Sequence, residues 1–363
     1  MTDGGRPSGD PAPVRTGGTA TALTGGTATA LTGGTATGVG SMPGTDARRA
    51  AAIVTGELPL AHLPELPQRG LGADMIGRAA ALLVDLPMDV AASGYRLTSR
   101  PTGLMRTARD HLSRDLDAME EAWEVAGRHG SREVFKVQSV GPFTLAASVE
   151  LPGGHKILRD RSAVADVAAS LAEGVAAHAA EVARRLGVEV TVQLDEPLVG
   201  AVIDGHIRPV SRLDVIDAVP VSDVAETLLA TIDTIGADAL IHNCDRPRWD
   251  LARLMSGVAL GVSTEVLRTV DLDGVGAHLD SGAVLALGVV PSTAPVGELP
   301  VERVLSSVTE LTDRIGLPRR VLADQVIVTP SCGLAGAGDG WVRAALTLCS
   351  RAADALAADP TSI

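Results

Sequence analysis

The sequence predicts an α/β protein built as a single (β/α)8 TIM barrel. From Val39 onward, short Val-rich segments alternate with longer Ala-rich segments of helical period. The apolar fraction of 45% comes from Ala, Val and Leu, since aromatic residues make up only 2%. Both features are typical of βα units around a parallel sheet whose strands are buried on both faces. A doubly wound open sheet uses the same units and remains the alternative.

Eight segments have the length and the β-branched content of strands. They lie near residues 38–41, 58–63, 133–140, 188–194, 239–243, 258–264, 283–290 and 326–330. The segments between them have helical length and apolar spacing, as in residues 164–186 and 223–235. Eight βα repeats favour a closed barrel over an open sheet.

The first 36 residues differ in composition from the rest of the chain. A repeat, Thr-Gly-Gly-Thr-Ala-Thr-Ala-Leu, starts at Thr16, returns at Thr24 and begins again at Thr32. Its Gly and Thr content and its lack of large apolar side chains predict a flexible tail over residues 1–36. No linker rich in Pro, Gly and Ser interrupts the chain afterwards, so residues 37–363 are expected to form one domain.

Charge and composition exclude several classes of partner. The net charge is −13 and the 31 basic residues are scattered, which disfavours nucleic acid as a partner. No apolar run approaches the roughly 20 residues that a membrane span requires, and the amino terminus lacks a basic segment followed by an apolar one. Three cysteines do not make a disulfide framework. We therefore expect a soluble, cytoplasmic protein without a membrane partner.

Candidate metal ligands follow three predicted strands. His242 and Cys244 stand one residue apart where a strand is expected to end, so their side chains share a face. Glu265 and Cys332 follow two later strands, and the carboxyl ends of barrel strands meet at one mouth. One imidazole, two thiolates and one carboxylate suit zinc, and the carboxylate is the natural ligand to yield to an incoming thiol. Cys349, within an Ala-rich helix, is expected to be a core residue.

The order His242-x-Cys244, Glu265, Cys332-Gly333-Leu334 resembles the zinc site of the cobalamin-independent methionine synthase family. Further motifs resemble those of the same family: Val39-Gly40-Ser41-Met42-Pro43, Gly141-Pro142-Phe143-Thr144 and Val192-Gln193-Leu194-Asp195-Glu196-Pro197. The resemblance extends over about residues 37–355, the length of the family's carboxyl-terminal catalytic barrel. It includes no counterpart of the amino-terminal barrel.

The resemblance also implies a site for an amino acid. Gly40 and Ser41 are similar to family residues whose backbone receives the carboxylate, and Asp195 resembles the carboxylate that takes the ammonium group. Glu65 stands in a segment similar to a family Glu-x-x-Arg-x-Asp-Met run, with different spacing. Gly40, Ser41, Glu65 and Asp195 are thus predicted to bind substrate, and Asp195 is also predicted to be catalytic. Anionic and backbone-donor groups suit the two ends of a zwitterion.

The implied activity is zinc-dependent methyl transfer to homocysteine, giving methionine. The free thiol, with a pKa of about 8.5, loses its proton on coordination to zinc. In the resembled family the donor is 5-methyltetrahydrofolate, whose nitrogen leaves after protonation by a His that follows the seventh strand. Residues 288–293 contain no His, and His278 precedes that strand. A methylcorrinoid needs no such proton, so methylcobalamin or a corrinoid protein is predicted to be the better donor.

Two other functions remain open on sequence alone. The zinc site does not identify the rest of the thiol substrate, so a methyltransferase or alkyltransferase for another thiol, such as coenzyme M, is the first alternative. The second, from a different class, is a non-catalytic zinc-storing or regulatory barrel.

Overall fold

A computed structural model of the chain describes Met1 and residues 31–211 and 213–361. The described strands are β1 (Thr35–Ala36), β2 (Met88–Ala91), β3 (Gly94–Leu97), β4 (Val134–Val140), β5 (Val149–Glu150), β6 (Glu189–Asp195), β7 (Ala239–His242), β8 (Ala259–Ser263), β9 (Leu285–Val290) and β10 (Val326–Pro330).

Helices fill the segments between these strands. The α-helices are α1 (Ala47–Glu57), α2 (Met75–Leu82), α3 (Gly103–Val125), α4 (Pro142–Ser148), α5 (Arg161–Leu186), α6 (Val199–Ile203), α7 (Val221–Ile235), α8 (Trp249–Leu254), α9 (Leu272–Asp280), α10 (Val301–Ile315), α11 (Arg320–Gln325) and α12 (Asp339–Ala358). Short 3₁₀ helices span Pro67–Arg69, Ile157–Arg159 and Thr269–Asp271. Within the described ranges, no helix is both long and apolar enough to cross a membrane.

The local sequence explains where the longest helix begins and ends. The Asp160 side chain accepts hydrogen bonds from the backbone N–H groups of Ser162 and Ala163, which stabilises the start of α5. Gly187 ends it in the left-handed conformation, with φ 68°. The buried face of α5 is formed by small and branched apolar residues, which pack it against the sheet and neighbouring helices.

Seven strands form one curled parallel sheet, in the order β1-β10-β9-β8-β7-β6-β4. Every pair in it is parallel. Successive strands are neighbours, and the first strand pairs with the last. This order has no reversal, whereas a doubly wound sheet reverses its strand order at the centre. The predicted α/β class and parallel sheet are therefore confirmed, in a form consistent with a TIM-like barrel.

The sheet is not closed by an eighth strand among the described residues, although eight strands were predicted. The segment predicted as a strand at residues 58–63 is extended and contacts both edges of the sheet. Leu60 N donates to Ala36 O of β1 at 3.2 Å. On the other side, Leu63 N donates to Lys136 O of β4 at 3.0 Å, and Lys136 N donates to Ala61 O at 2.9 Å. These bonds are too few and too irregular for the segment to count as a regular strand, apart from an isolated bridge between His62 and Lys136.

The sheet begins earlier than the sequence analysis placed it. Thr35 and Ala36, assigned there to the tail, form β1 against β10, and Leu31 is only 3% exposed. The physical reason is that the final repeat unit supplies a short extended segment whose backbone pairs in the sheet. Residues 31–36 therefore belong to the folded part of the chain and not to the tail. Most of the predicted flexible tail, residues 2–30, lies outside the described residues.

An apolar cluster fills the interior at the amino-terminal ends of the strands. Its members are Leu31, Leu60, Leu240, Ala259, Ala286 and Ile327, with Val134 and Val284 packed against them. A larger core lies between the sheet and the helices. Because the amino-terminal end is filled with apolar side chains, polar groups in the interior lie toward the opposite mouth.

A second sheet, in the order β2-β3-β5, was not predicted. Its strands β2 and β3 pair antiparallel as a hairpin, and β3 pairs in parallel with the two residues of β5. Glu150 of β5 is fully buried and is held by Arg96 and Ser93. Strands of two to four residues carry too little alternation to be recognised in sequence.

Candidate metal and substrate site

Three of the four predicted metal ligands meet at the carboxyl ends of the strands. His242 is the last residue of β7, Cys244 follows it by two residues, and Cys332 follows β10 by two residues. The candidate ligand atoms of these three side chains all lie within 4.8 Å of one another. His242 is buried, and both cysteines are partly exposed, so the cluster faces the mouth of the sheet.

The fourth predicted ligand, Glu265, lies beside this cluster and is not part of it. It follows β8 in an exposed turn, where its backbone N donates to Ser263 Oγ at 3.2 Å. A hydrogen bond from Cys244 lowers the pKa of Cys332, and the negative charge of Glu265 opposes this shift, less strongly than burial does. Glu265 is therefore near enough to the cluster to influence the charge of Cys332.

The protonation states at the cluster suit a metal. Burial, aided by the charge of Lys136, lowers the pKa of His242 to about 4, so the imidazole is neutral at pH 7 and offers a lone pair. A hydrogen bond from Cys244 lowers the pKa of Cys332 to about 6, and the same bond raises the pKa of Cys244. One imidazole nitrogen and two sulfurs form a donor set that fits zinc.

The predicted carboxylate-binding segment is attached directly to the cysteine loop. Ser41 O accepts a hydrogen bond from Leu334 N at 2.8 Å, which ties the segment to the loop of Cys332. A Cβ atom at Gly333 would lie 2.0 Å from Ser41 Oγ, so a larger residue at this position would force the Ser41 hydroxyl to move. At Gly40 the backbone has φ 151°, a conformation that L side chains rarely adopt.

The predicted ammonium-binding carboxylates lie next to these groups. Glu65 N donates to Gly40 O at 3.1 Å, and Met42 N donates to Glu65 O at 2.8 Å. Asp195 ends β6 and pairs in register with His242 of β7. Glu65 and Asp195 are 7% and 8% exposed. The structure thus brings Gly40, Ser41, Glu65 and Asp195 together beside the cluster.

The two carboxylates are close enough to influence each other. Burial raises the pKa of Asp195 well above its usual value, and the negative charge of Glu65 raises it further. Burial also raises the pKa of Glu65, while Arg78, whose Nε lies 3.4 Å from Glu65 Oε1, lowers it. A cation that enters between Asp195 and Glu65 would relieve their repulsion, which is a suitable environment for an ammonium group.

Glu196 has a structural role that the sequence analysis did not assign. Its buried carboxylate accepts hydrogen bonds from Phe143 N and Thr144 N, both at 2.8 Å, and from Thr144 Oγ1 at 2.6 Å. These groups form the amino terminus of α4, so Glu196 acts as its cap. Burial raises the pKa of Glu196 to about 7. The Gly-Pro-Phe-Thr motif therefore supplies the donors, and the Asp-Glu-Pro motif the acceptor, of one set of hydrogen bonds.

The loop after β9 shows no histidine, as the sequence already indicated. Its Pro291 O accepts a hydrogen bond from Trp341 Nε1 at 2.9 Å, and Ser292 N donates to Ser331 Oγ at 3.1 Å. His278 lies in α9, before β9, where its Nε2 is 3.0 Å from Val284 O. His278 is thus held at the amino-terminal end of the strand, away from the cluster.

Sequence analysis missed the polar residues beneath the two carboxylates. These are Lys136 and Gln138 of β4, Gln193 of β6, and Arg78 of α2. Their signal was present: Lys-x-Gln and Gln-x-Asp, on two strands that should be apolar, put polar side chains on one face of each strand. Buried polar groups at strand spacing point to an internal network.

A sequence model described as "Cobalamin-independent synthase, Catalytic domain" matches residues 34–355, nearly the whole described chain. The chain belongs to this family. The predicted family is thereby confirmed. As a member of this family, the chain is a methyltransferase of the methionine synthase type. The alternative of a non-catalytic barrel is accordingly set aside.

A solved structure shares the fold. It is the B12-independent methionine synthase from Shewanella sp. W3-18-1, in complex with selenomethionine, with a TM-score of 0.59 and 11% sequence identity. The match covers 91% of the present chain and 100% of that one. At this identity the likeness establishes a common fold. A comparison with curated protein sequences finds no match.

Proposed function

We propose that this family member is a zinc-dependent methyltransferase that converts homocysteine to methionine. The observation that carries the proposal is the meeting of His242, Cys244 and Cys332 within 4.8 Å, beside two buried carboxylates. These three residues would hold zinc, and Glu265 would serve as the fourth ligand that yields when substrate arrives. When bound, zinc supplies the positive charge that lets a thiol ligand lose its proton near neutral pH.

The chain's own residues would bind and orient the amino acid. Asp195 and Glu65 would take the ammonium group, and backbone N–H groups of the Gly40-Ser41 segment would take the carboxylate. With both ends fixed, the side chain of homocysteine extends toward the cysteines. Its sulfur then attacks the methyl carbon of the donor: the new S–C bond forms while the bond from that carbon to the donor breaks, and its electron pair leaves with the donor. We also assign Asp195 a catalytic role, since by holding the ammonium group it would fix the position of the sulfur that reacts.

For the architecture, we propose a closed (β/α)8 barrel whose first strand is β1, so that it begins shortly before the predicted boundary at residue 37 and follows the predicted tail. Residues 58–63 would be the eighth strand. The support is that this segment hydrogen-bonds to residues at both edges of the sheet, Ala36 and Lys136. Closure would also explain why β1 pairs with β10, since the first and last strands of a barrel must be neighbours.

We propose a methylcorrinoid, such as methylcobalamin free or on a corrinoid protein, as a better methyl donor than 5-methyltetrahydrofolate. The support is the absence of a proton-donating histidine in the loop at residues 288–293, together with the position of His278 before β9. A folate nitrogen leaves poorly without a proton, whereas reduced cobalt leaves unprotonated. The free cysteines fit a reducing compartment, and we propose the cytoplasm.

Purified, zinc-loaded protein incubated with each pairing of thiol and donor tests this function. The thiols are homocysteine and coenzyme M, and the donors are methylcobalamin and 5-methyltetrahydrofolate. We expect methionine to form from homocysteine, faster with methylcobalamin. Rapid turnover with the folate alone would refute the proposed donor but not the proposed reaction. Methylation of coenzyme M without methionine formation would refute the proposed substrate.

A further inference from the structure

Lys136 lies in the interior of the sheet and is 0% exposed. Its Nζ donates to Gln193 Oε1 at 2.7 Å, to Val39 O at 3.2 Å and to Gln138 Oε1 at 3.5 Å. All three acceptors are neutral oxygens. A buried ammonium group is costly unless negative charge lies nearby, so the surroundings of these acceptors decide why the lysine is there.

Gln193 connects Lys136 directly to Asp195, one of the two carboxylates. Gln193 accepts from Lys136 through Oε1 and donates through Nε2 to Asp195 Oδ1 at 2.7 Å. Gln138 accepts from the lysine through Oε1 at 3.5 Å and donates through Nε2 to Leu63 O at 2.5 Å. Gln138 also lowers the pKa of the nearby Glu65 carboxyl, against the larger effect of burial. Because an amide oxygen can only accept and an amide NH₂ can only donate, the lysine fixes the orientation of both amides.

The charges agree with this connection. Burial lowers the pKa of Lys136 to about 8, and Asp195 followed by Glu65 opposes that shift. In return, the lysine lowers the pKa of Asp195 against the larger effect of burial. Glu65 has a second cation in Arg78. Lys136 thus supplies the positive charge that stabilises ionised Asp195, and Gln193 lies between the two side chains.

The choice of lysine is itself informative. Only two of the 31 basic residues in this chain are lysines, Lys136 and Lys156. Elsewhere the chain uses Arg, whose planar guanidinium forms forked, bidentate pairs. A compact ammonium group with three donors fits between two amide oxygens and a carbonyl.

We propose that Lys136 is a positioning residue for the amino-acid substrate. It orients Gln193 so that Asp195 presents its remaining oxygen to the substrate ammonium, beside Glu65. This inference rests on the proposed function, because it assumes that the two carboxylates bind an amino acid. Lys136 itself does not touch the substrate.

The test uses two ligands that differ only in the amino group. L-methionine and 4-(methylsulfanyl)butanoate are titrated into zinc-loaded full-length protein by calorimetry. In the Lys136→Met variant we expect affinity for L-methionine to fall about tenfold or more, because an ammonium–carboxylate contact loses its fixed geometry. Affinity for the deamino analogue should remain as in the unmodified protein. A Gln193→Leu variant, which keeps the lysine, should show the same selective loss and serves if Lys136→Met does not fold.

Lys156→Met is the matched control, since Lys156 Nζ donates to Ser148 O at 2.7 Å and belongs to the loop after the small sheet. It should alter neither affinity. Equal loss for both ligands in Lys136→Met and Gln193→Leu would reduce these residues to a general structural role, and unchanged affinities would overturn the inference. Unmodified protein that binds the deamino analogue as tightly as L-methionine would instead refute the amino-acid site, and the inference with it.

Discussion

At the scale of single residues, the mouth of the sheet divides into two groups with different chemistry. His242, Cys244 and Cys332 provide nitrogen and sulfur atoms within 4.8 Å, and burial keeps the imidazole neutral. Asp195 and Glu65 provide two buried carboxylates. A thiol-bearing amino acid matches both groups at once, because its sulfur suits the first and its ammonium the second.

Replacement of Asp195 tests the second group separately. In Asp195→Ala we expect the dissociation constant of homocysteine to rise about tenfold or more, since a buried charge-assisted hydrogen bond is lost. Zinc content should not change, because the three clustered ligands remain. Asp217→Ala, on an exposed loop, is the control. Loss of zinc together with substrate affinity would mean that Asp195 supports the metal cluster and not the amino acid.

The meeting of His242, Cys244 and Cys332 could be predicted from sequence, whereas the network beneath the carboxylates could not. His-x-Cys at a strand end and a distant Cys-Gly after another strand are local patterns that are typical of metal sites. The role of Lys136 and Gln138 depends on Gln193 and Asp195 on the neighbouring strand. The pairing register between β4 and β6 determines which of these side chains are close together. Sequence alone does not give this register.

At the scale of elements, helix α4 depends on a carboxylate from another strand. Glu196 satisfies the first N–H groups of α4, but its burial raises its pKa to about 7. Since the folded-state pKa lies above the unfolded value of 4.5, the folded state binds more protons between these values. The contribution of Glu196 to stability is therefore fully present below about pH 4.5 and decreases as pH rises through about 7.

A Glu196→Gln variant isolates this contribution because glutamine does not titrate. We expect the free energy of unfolding of the unmodified protein, relative to the variant, to decrease by roughly 3 kcal/mol between pH 4.5 and pH 8. Chemical denaturation at several pH values measures it. A relative stability that increases over this range would show that the carboxylate is held ionised, with a lowered pKa.

Strand β1 is the other element with a direct test. A chain that begins at residue 31 keeps Leu31 and β1, and we expect its melting temperature and activity to match those of the full chain. A chain that begins at residue 38 loses Leu31, 3% exposed, and the pairing with β10, at a cost of roughly 2–5 kcal/mol. Thermal melts of both compare the two boundaries. Equal melting temperatures would show that β1 contributes little to the fold.

The long strands of the fold could be predicted from sequence, whereas the short or irregular elements could not. The Val-rich strands β4 and β6 to β10 lie where their composition placed them, because buried parallel strands have a strong apolar signature. The segment at residues 58–63 was predicted as a strand, but it makes only scattered hydrogen bonds to the sheet. The hairpin of β2 and β3 escaped notice because Asp89 and Arg96 break its apolar pattern.

At the scale of the whole molecule, the apolar residues that stabilise the fold and the residues of the candidate site lie at opposite ends of the sheet. Apolar side chains such as Leu31, Leu240 and Ile327 fill its amino-terminal end, while polar and sulfur-bearing side chains lie at the carboxyl-terminal end. This division is the one that TIM barrels show in general.

The central claim is that one zinc ion binds at this mouth through both cysteines. Metal analysis with zinc X-ray absorption spectroscopy tests it on the unmodified protein, on Cys332→Ser and on Cys349→Ala, whose cysteine is buried in α12. We predict about one zinc per chain with two sulfur ligands, a loss of sulfur ligation and of zinc in Cys332→Ser, and no change in Cys349→Ala. Zinc without sulfur ligands, or full zinc retention with unchanged ligation in Cys332→Ser, would contradict the account.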